Sequence, residues 1–162
     1  MTGERRVTQR GLWFEEFEVG TVYEHRPGRT VTEADNVLFT TLTMNTQALH
    51  LDAAFAATQP GFDGQRLVNS MFTLSTIVGL SVAQLTQGTL VANLGFSEIA
   101  FPAPMFAGDT LYAETECTGK RESKSRPGEG VVELVHVGRN QDGTVVARAA
   151  RSTLVRLRPG AD

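Results

Sequence analysis

The sequence predicts an α+β fold in which an antiparallel five-stranded sheet wraps around one long central helix. The first observation is an apolar segment at about residues 67–87, whose hydrophobic side chains are spread around nearly the whole circumference of a helix. A helix that is apolar on every side is buried. The second observation is that the segments after it carry the alternation and the turn signals of strands. The apolar positions of the helix are Leu67, Val68, Met71, Phe72, Leu74, Ile77, Val78, Leu80, Val82 and Leu85.

One strand is predicted before this helix and four after it. In residues 111–118 small or apolar side chains alternate with polar ones, which indicates one buried and one solvated face. Asp142-Gly143 is a strong hairpin signal between the last two strands. Five antiparallel strands that share one buried helix form the hotdog arrangement. The predicted strands cover residues 21–31, 90–101, 110–123, 130–139 and 144–156.

The first third of the chain supplies an aromatic lead-in and shorter helices. Residues 13–20 are rich in aromatic side chains and end in a glycine, so we expect them to cover one end of the core. Thr32-Glu33-Ala34-Asp35 has the form of a capping box and opens a helix that extends to about Thr43. A short helical turn at 53–57 and a Pro/Gly loop at 59–64 lead into the central helix.

The whole-chain composition indicates one globular domain. A length of 162 residues with 41% apolar content suits a single core. We expect residues 11–158 to form this domain, between a flexible tail at 1–10 and a short tail at 159–162. The net charge of -3 without a block of like charge gives no electrostatic basis for binding nucleic acid.

The cytoplasm is the predicted compartment. The only cysteine, Cys117, cannot form an internal disulfide and has no neighbouring metal-ligand pattern, so we expect a reduced core residue and no metal site. The first ten residues lack the apolar stretch of a secretory signal.

The central helix is long enough to span a bilayer, but we expect no membrane span because six polar residues interrupt it: Ser70, Thr73, Ser75, Thr76, Ser81 and Gln84.

The most informative segment is residues 43–52, where His50 follows Asn45 by five positions just after a predicted helix. Two residues five apart do not share one helical face, so we interpret them as a helix end and the turn after it, where side chains converge on a cleft and hold a water molecule. Asn45 is equally typical of a helix C-cap. Asp52 is typical of an N-cap for the next short helix.

Several segments together resemble the MaoC-like family of (R)-specific enoyl-CoA hydratases. These are the lead-in at 13–20, the segment 45–52, the central helix and the stretch Phe101-Pro102-Ala103-Pro104-Met105-Phe106-Ala107-Gly108-Asp109. The resemblance covers nearly the whole chain. It implies the hotdog fold, an acyl-CoA substrate with no further cofactor, and a homodimer or a multiple of dimers.

The chain departs from the signature of that family at the catalytic acid. The signature has an Asp, an Asn-Pro pair two residues on, and a His five residues after the Asp; here Asn45, Gln47 and Ala48 stand at the Asp, Asn and Pro positions. The segments 41–47 and 125–128 are similar to hydratases of short branched dicarboxylic acyl-CoAs such as mesaconyl-CoA and itaconyl-CoA.

The chemistry of hydration assigns expected roles to three residues. His50 is the candidate general base, because a neutral imidazole can accept a proton from water near neutral pH and return one to carbon. Asn45 cannot transfer protons, but its amide oxygen can position the water. The backbone N–H of Ser70 or Met71 is the candidate oxyanion donor, because the first turn of a helix leaves amides unpaired at the positive end of its dipole. The family places its donor there too.

The missing acid favours a carboxylated acyl group. Two like charges about 5 Å apart repel by about 3 kcal/mol at an effective dielectric near 20, and a neutral Asn45 removes that cost. Arg66 is then expected to pair with the substrate carboxylate or with a CoA phosphate. Gln47, Asn69 and Met71 complete the expected substrate contacts. A basic stretch is either a second phosphate-binding candidate or a solvated hairpin end: Lys120, Arg121, Lys124 and Arg126.

Three functions of different classes follow from these residues. The first is a hydratase or dehydratase that uses His50. The second is an acyl-CoA thioesterase, which commonly has a carboxylate on the central helix, whereas residues 67–87 contain none. The third is a non-catalytic acyl-CoA binding or regulatory protein, in which loss of the acid means loss of activity. The other two histidines, His25 and His136, lie in strands without a partner pattern, and we interpret both as structural.

Overall fold

The computed structural model describes residues 4–160, and they form one sheet, one long helix and several short helical segments. A 3-10 turn at Phe14–Glu16 precedes the first strand. The α-helices are α1 (Glu33–Leu42), α2 (Ala48–Leu51), α3 (Ala53–Ala57) and α4 (Ser70–Leu85). The strands are β1 (Val22–Thr30), β2 (Leu90–Ala100), β3 (Thr110–Glu122), β4 (Glu129–Arg139) and β5 (Val145–Arg156).

The predicted hotdog fold is confirmed. The five strands form one antiparallel sheet in the order β1-β3-β4-β5-β2, and α4 packs against β1, β3, β4 and β5. The capping box that opens α1 is present, because the Thr32 hydroxyl accepts from the Asp35 N–H and the Asp35 carboxylate accepts from the Thr32 N–H. The predicted strand bounds agree with the observed ones to within a residue or two.

The central helix differs from its prediction in length and in burial. It begins at Ser70, because Asn69 caps its N-terminus and Leu67 forms an isolated bridge with Phe106, and it ends at Leu85 rather than at about residue 87. It is not buried all round: Met71 is 50% exposed, and the face that continues from it through residues 75, 79 and 83 is also open to solvent. The sheet covers only the opposite face.

The aromatic lead-in covers one end of the core, as predicted. Phe14 and Phe17 are buried in a cluster with Leu85 at the end of α4 and with Cys117 in β3. Gly130 is required there, because a Cβ at this position would lie 2.2 Å from the Phe14 ring. Apolar packing thus closes the sheet at the C-terminal end of α4. None of the helices within residues 4–160 has the length and apolarity needed to cross a membrane.

A row of buried polar side chains crosses four strands and reaches the helix. The Arg151 Nε–H donates to His136 Nε2 (2.8 Å), and His136 Nδ1 lies 2.7 Å from the Thr115 hydroxyl. That hydroxyl lies 2.8 Å from His25 Nε2, and His25 Nδ1 lies 2.7 Å from Gln84 Oε1. An arginine can only donate and an amide oxygen can only accept. Every hydrogen bond in the row is therefore donated in the same direction, from Arg151 towards Gln84.

The sequence shows no partner pattern for the two histidines of this row, which we interpret as structural, but both ring nitrogens of each have hydrogen-bond partners in the structure. Burial lowers the pKa of His136 to about 3, with a further contribution from the charge of Arg151. Burial also lowers the pKa of His25. Both rings are therefore neutral in the folded protein at neutral pH, in agreement with the direction of the hydrogen bonds.

These lowered pKa values predict that the protein loses stability as the pH falls below about 6.5. Between the usual histidine pKa and the lowered one, the unfolded chain binds protons that the folded chain does not, so the free energy of unfolding rises with pH. Each such histidine contributes up to about 1.4 kcal/mol per pH unit. Urea unfolding between pH 5 and pH 7 should show this slope, and His136→Gln should make it shallower. An unchanged slope in that variant would contradict the assignment.

Candidate active site

His50 lies in α2, the four-residue helix that the sequence did not predict, and its side chain is 8% exposed. Its Nδ1–H donates to the carbonyl oxygen of Leu67 at 2.8 Å. Because a carbonyl can only accept, Nδ1 carries the proton, and in the neutral ring Nε2 holds the free lone pair. Nε2 makes no hydrogen bond within residues 4–160 and is not sealed from solvent. The ring is therefore held at one nitrogen and available at the other.

The chain segment that precedes α4 connects the first turn of this helix to His50. The Leu67 N–H donates to the Leu49 carbonyl at 3.0 Å, so the residue before His50 pairs directly with the approach to the helix. The Asn69 side-chain oxygen accepts from the Met71 N–H at 3.0 Å. The N–H of Ser70 has no partner among the described residues. Of the two predicted oxyanion donors, Ser70 remains available, whereas the Met71 amide is already used by the cap.

The side chain of Asn45 is held in a turn of its own. Its Oδ1 accepts from the Gln47 N–H at 3.0 Å, and no hydrogen bond joins it to His50. Its amide nitrogen makes no hydrogen bond within residues 4–160. Asn45 is not the left-handed residue after α1, because Met44 takes that conformation with φ 55°. Asp52 is the N-cap of α3, as predicted, and accepts from the Phe55 N–H at 2.9 Å.

An apolar pocket of about 340 Å³ opens beside the first turn of α4. Ser70 and Thr73 are the polar side chains in its wall, and no charged side chain lines it. The loop 60–62 and the segment 101–105 after β2 form the other walls. This volume lies at the lower end of the range for small-molecule sites. The remaining lining residues are Leu67, Val68 and Val146.

Arg66 lies one residue before Leu67 but is already engaged. Its Nη2 forms an ion pair with Glu33, and its Nη1 donates to the Leu51 carbonyl at 3.2 Å. Gln47 is exposed and joins the site through its backbone N–H. Asn69 is 2% exposed and serves as the helix cap, so its side chain is not free for a substrate. The guanidinium of Arg66 is the cation beside the approach to α4, and a substrate carboxylate would compete with Glu33 for it.

The basic stretch at 120–126 lies at the opposite end of the sheet from His50. β3 has 13 residues, which at about 3.3 Å per residue separates its two ends by roughly 40 Å. Lys120 donates to the carbonyls of Phe14, Glu15 and Phe17, and so holds the lead-in turn. Arg126 pairs with Glu129 within the hairpin. Within one chain, this stretch therefore belongs to the hairpin end and does not contact the His50 site.

Sequence reasoning missed Asn36, which is 1% exposed. Its Nδ2 donates to the carbonyls of His50 (3.2 Å) and Leu67 (3.1 Å), and its Oδ1 accepts from the Asn69 N–H at 2.9 Å. The available signal was the spacing of Asn36 and Thr40, which places two polar side chains on one face of α1. That face is the buried one.

Comparison with known proteins identifies the family. Residues 15–140 match the family model described as "MaoC like domain", and the chain belongs to this family. The chain is 32% identical to the β-methylmalyl-CoA dehydratase of Chloroflexus aurantiacus, over 93% of this chain and 42% of that protein. It is also 32% identical to the mesaconyl-CoA hydratase of Cereibacter sphaeroides, over 93% of this chain and 43% of that protein. The predicted family is thus confirmed.

The chain spans less than half the length of these two curated relatives. A solved structure of matching length is the (R)-hydratase from Aeromonas caviae involved in PHA biosynthesis, which superposes with a TM-score of 0.70 at 30% identity. That alignment covers 89% of this chain and 99% of the hydratase chain. The described residues contain no group of three or more potential metal-ligating side chains.

Proposed function

We propose that this chain catalyses the reversible addition of water to a 2-enoyl-CoA thioester, with His50 as the base. The observation that carries this proposal is the arrangement of His50, whose Nδ1–H is anchored on Leu67 while Nε2 is free, next to the helix start where the Ser70 N–H is unpaired. A base and an oxyanion donor are the two groups that hydration requires. The relatives named as hydratases and dehydratases support the same reaction class.

The reaction proceeds by proton transfer through His50. Nε2 removes a proton from water while the water oxygen bonds to the β-carbon of the enoyl group, and the electron pair of the double bond moves into the thioester carbonyl. The Ser70 N–H and the positive end of the α4 dipole stabilise the resulting enolate oxygen. The His50 imidazolium then returns a proton to the α-carbon. These steps need no cofactor beyond the CoA thioester substrate.

Asn45 would act as a positioning group. Because its Oδ1 accepts from the Gln47 N–H, the free part of the amide is the Nδ2 donor. A donor at this place can bind the water oxygen and direct the water protons toward His50, but it cannot take a proton. The arrangement differs from the sequence-based expectation, in which the amide oxygen holds the water.

A short branched acyl group that carries a carboxylate is the proposed substrate class, with mesaconyl-CoA and itaconyl-CoA as examples. The pocket beside Ser70 and Thr73 is small and uncharged, which suits a short branched chain. Arg66 at the approach to α4 offers the cation for the carboxylate, and the neutral Asn45 avoids repulsion.

A non-catalytic acyl-CoA binding protein is the second candidate function. The observation in its favour is the amide of Asn45 where family members have an acid. The two functions differ in turnover: a binding protein retains acyl-CoA without converting it. The thioesterase alternative is weaker, since α4 carries no carboxylate.

We further propose that two copies of the chain pair through β2, as a homodimer or a multiple of it, in the cytoplasm. Within residues 4–160, β2 is an edge strand with no neighbour on its outer side, and it exposes Leu94 (53%), Phe96 (38%) and Ile99 (41%). A long exposed apolar edge promotes uncontrolled association unless it is covered. The pocket wall at 101–105 follows β2 directly, so a second copy on this edge would border the pocket and reduce its access to water.

His50→Ala is expected to reduce hydration by about 10²–10⁴-fold, because general-base catalysis supplies a factor of this size. The assay follows loss of the conjugated thioester absorbance for crotonyl-CoA and mesaconyl-CoA, and mass spectrometry for itaconyl-CoA, with circular dichroism to confirm folding. Near-normal turnover in a folded variant would exclude His50 as the base. Tight binding of these thioesters by the unmodified protein without conversion would favour the binding protein.

Asn45→Asp is expected to impair carboxylated substrates more than uncharged ones. A carboxylate about 5 Å from the substrate carboxylate costs about 3 kcal/mol at an effective dielectric near 20, and crotonyl-CoA does not incur this cost. The measurement is the ratio of kcat/KM for mesaconyl-CoA to that for crotonyl-CoA, before and after the substitution. Equal losses on both substrates would contradict the charge argument.

Leu94→Arg is expected to convert the assembly to monomers, because it places a charge in the centre of the apolar edge. Light scattering at micromolar concentration measures the mass. The matched control is Val19→Arg, since Val19 is a similarly exposed apolar residue (58%) outside β2. A fully active monomer of the unmodified chain would refute both the pairing and the shared pocket.

A further inference from the structure

Asn36 is a buried side chain that makes three specific hydrogen bonds in addition to its packing contacts. It is an amide on the buried face of α1, and its three hydrogen bonds go to three different backbone groups: the carbonyls of His50 and Leu67 and the N–H of Asn69. These groups belong to two chain segments, one on each side of the loop 59–66. One side chain thus joins the candidate base to the start of α4.

The Leu67 carbonyl is the shared element of this arrangement. It accepts from the Asn36 amide and also from the His50 Nδ1–H, so both side chains converge on one oxygen. The Asn36 amide fixes where that oxygen lies, and the oxygen fixes which ring nitrogen of His50 carries the proton. Asn36 also donates to the backbone carbonyl of His50 itself. His50 is therefore held at its backbone by Asn36 and at its ring Nδ1 by the Leu67 carbonyl.

We infer that Asn36 is a positioning residue that keeps His50 in the Nδ1–H form with Nε2 free, and that sets the distance between His50 and the first turn of α4. This inference rests on the proposed function. Asn36 is 1% exposed and so is closed to a substrate, which means that it acts through His50 and not through contact with the substrate. A small displacement of a positioned base typically costs up to about a hundredfold in rate.

Two substitutions separate the parts of this role. Asn36→Asp keeps the shape of the side chain and the oxygen that accepts from the Asn69 N–H, but it replaces the amide donor to His50 and Leu67. Asn36→Ala removes all three hydrogen bonds. Both variants should lower kcat by roughly tenfold to a hundredfold with KM changed by less than about twofold.

The matched control is Thr153→Val, which removes another buried hydrogen bond to a backbone carbonyl. The Thr153 hydroxyl donates to the Val132 carbonyl at 3.0 Å within the sheet, away from His50. This variant should lose stability and retain kcat. A purely structural role for Asn36 predicts that its variants behave like this control once the folded fraction is taken into account.

The decisive measurement is the proton position on His50 in the free protein, read from long-range proton–nitrogen correlation spectra of ¹⁵N-histidine-labelled samples. His50→Gln identifies the His50 signals among the three histidines. The unmodified protein and Thr153→Val should show the Nδ1–H form, and both Asn36 variants should show a mixture of the two tautomers. An unmodified protein that converts no enoyl-CoA but shows these spectra refutes the proposed function and supports the positioning of His50. Asn36 variants that retain kcat and the Nδ1–H form overturn the inference.

Discussion

The hydrogen bond from the His50 Nδ1–H to the Leu67 carbonyl joins two segments that are 17 residues apart, and the candidate site depends on it. The short helix α2 has four residues and no side-chain cap, so contacts with distant segments hold it: this bond, the Leu67 N–H to the Leu49 carbonyl, and the Asn36 amide to the His50 carbonyl. The bond selects the tautomer of His50 and holds the ring beside Leu67, three residues before the start of α4. The same carbonyl also accepts from Asn36. One backbone oxygen thus helps to position both the histidine and the start of the long helix.

The presence of an amide and not an acid at position 45 limits the chemistry that this site can perform. A carboxylate can share a proton with the histidine, whereas Asn45 has only a donor left after its oxygen binds the Gln47 N–H. In the proposed reaction, His50 alone then transfers protons. The pocket has no charged side chain in its wall, and the guanidinium of Arg66 is paired with Glu33, so the surroundings of the site are close to neutral.

The architecture was largely predictable from the sequence, because turn residues mark the ends of its strands. Asp142-Gly143 and the prolines at 102 and 104 define strand ends directly. The start of α4 was not predictable, since Leu67 and Val68 are as apolar as the helix itself and only the Asn69 cap marks the boundary. A hydrophobic pattern does not show at which residue a polar side chain caps the helix.

The candidate site was predictable in its central residue and not in its supports. His50 was predictable because it is the single histidine of the segment 43–52, which resembles the family signature. Asn36 was not, because the apolar residues of α1 suggest that the opposite face of this helix is the buried one. Leu38 and Leu42 of α1 are 62% and 74% exposed, while Asn36 and Thr40 are buried. The polar face is inward because it supplies hydrogen bonds to the backbone of a distant segment. The role of the basic stretch stayed open between a phosphate-binding site and a hairpin end, because sequence alone does not show that β3 carries it to the far end of the sheet.

The one-directional row of hydrogen bonds across the sheet has a consequence for how the sequence can change. Each member accepts from one neighbour and donates to the next, so an exchange at a single position creates two facing donors or two facing acceptors in a dry interior. Substitutions at His25, Thr115 and His136 should therefore be accepted in compensating sets. Among proteins descended from a common ancestor with this one, these positions should covary, with a fully apolar row as the alternative to a fully polar one.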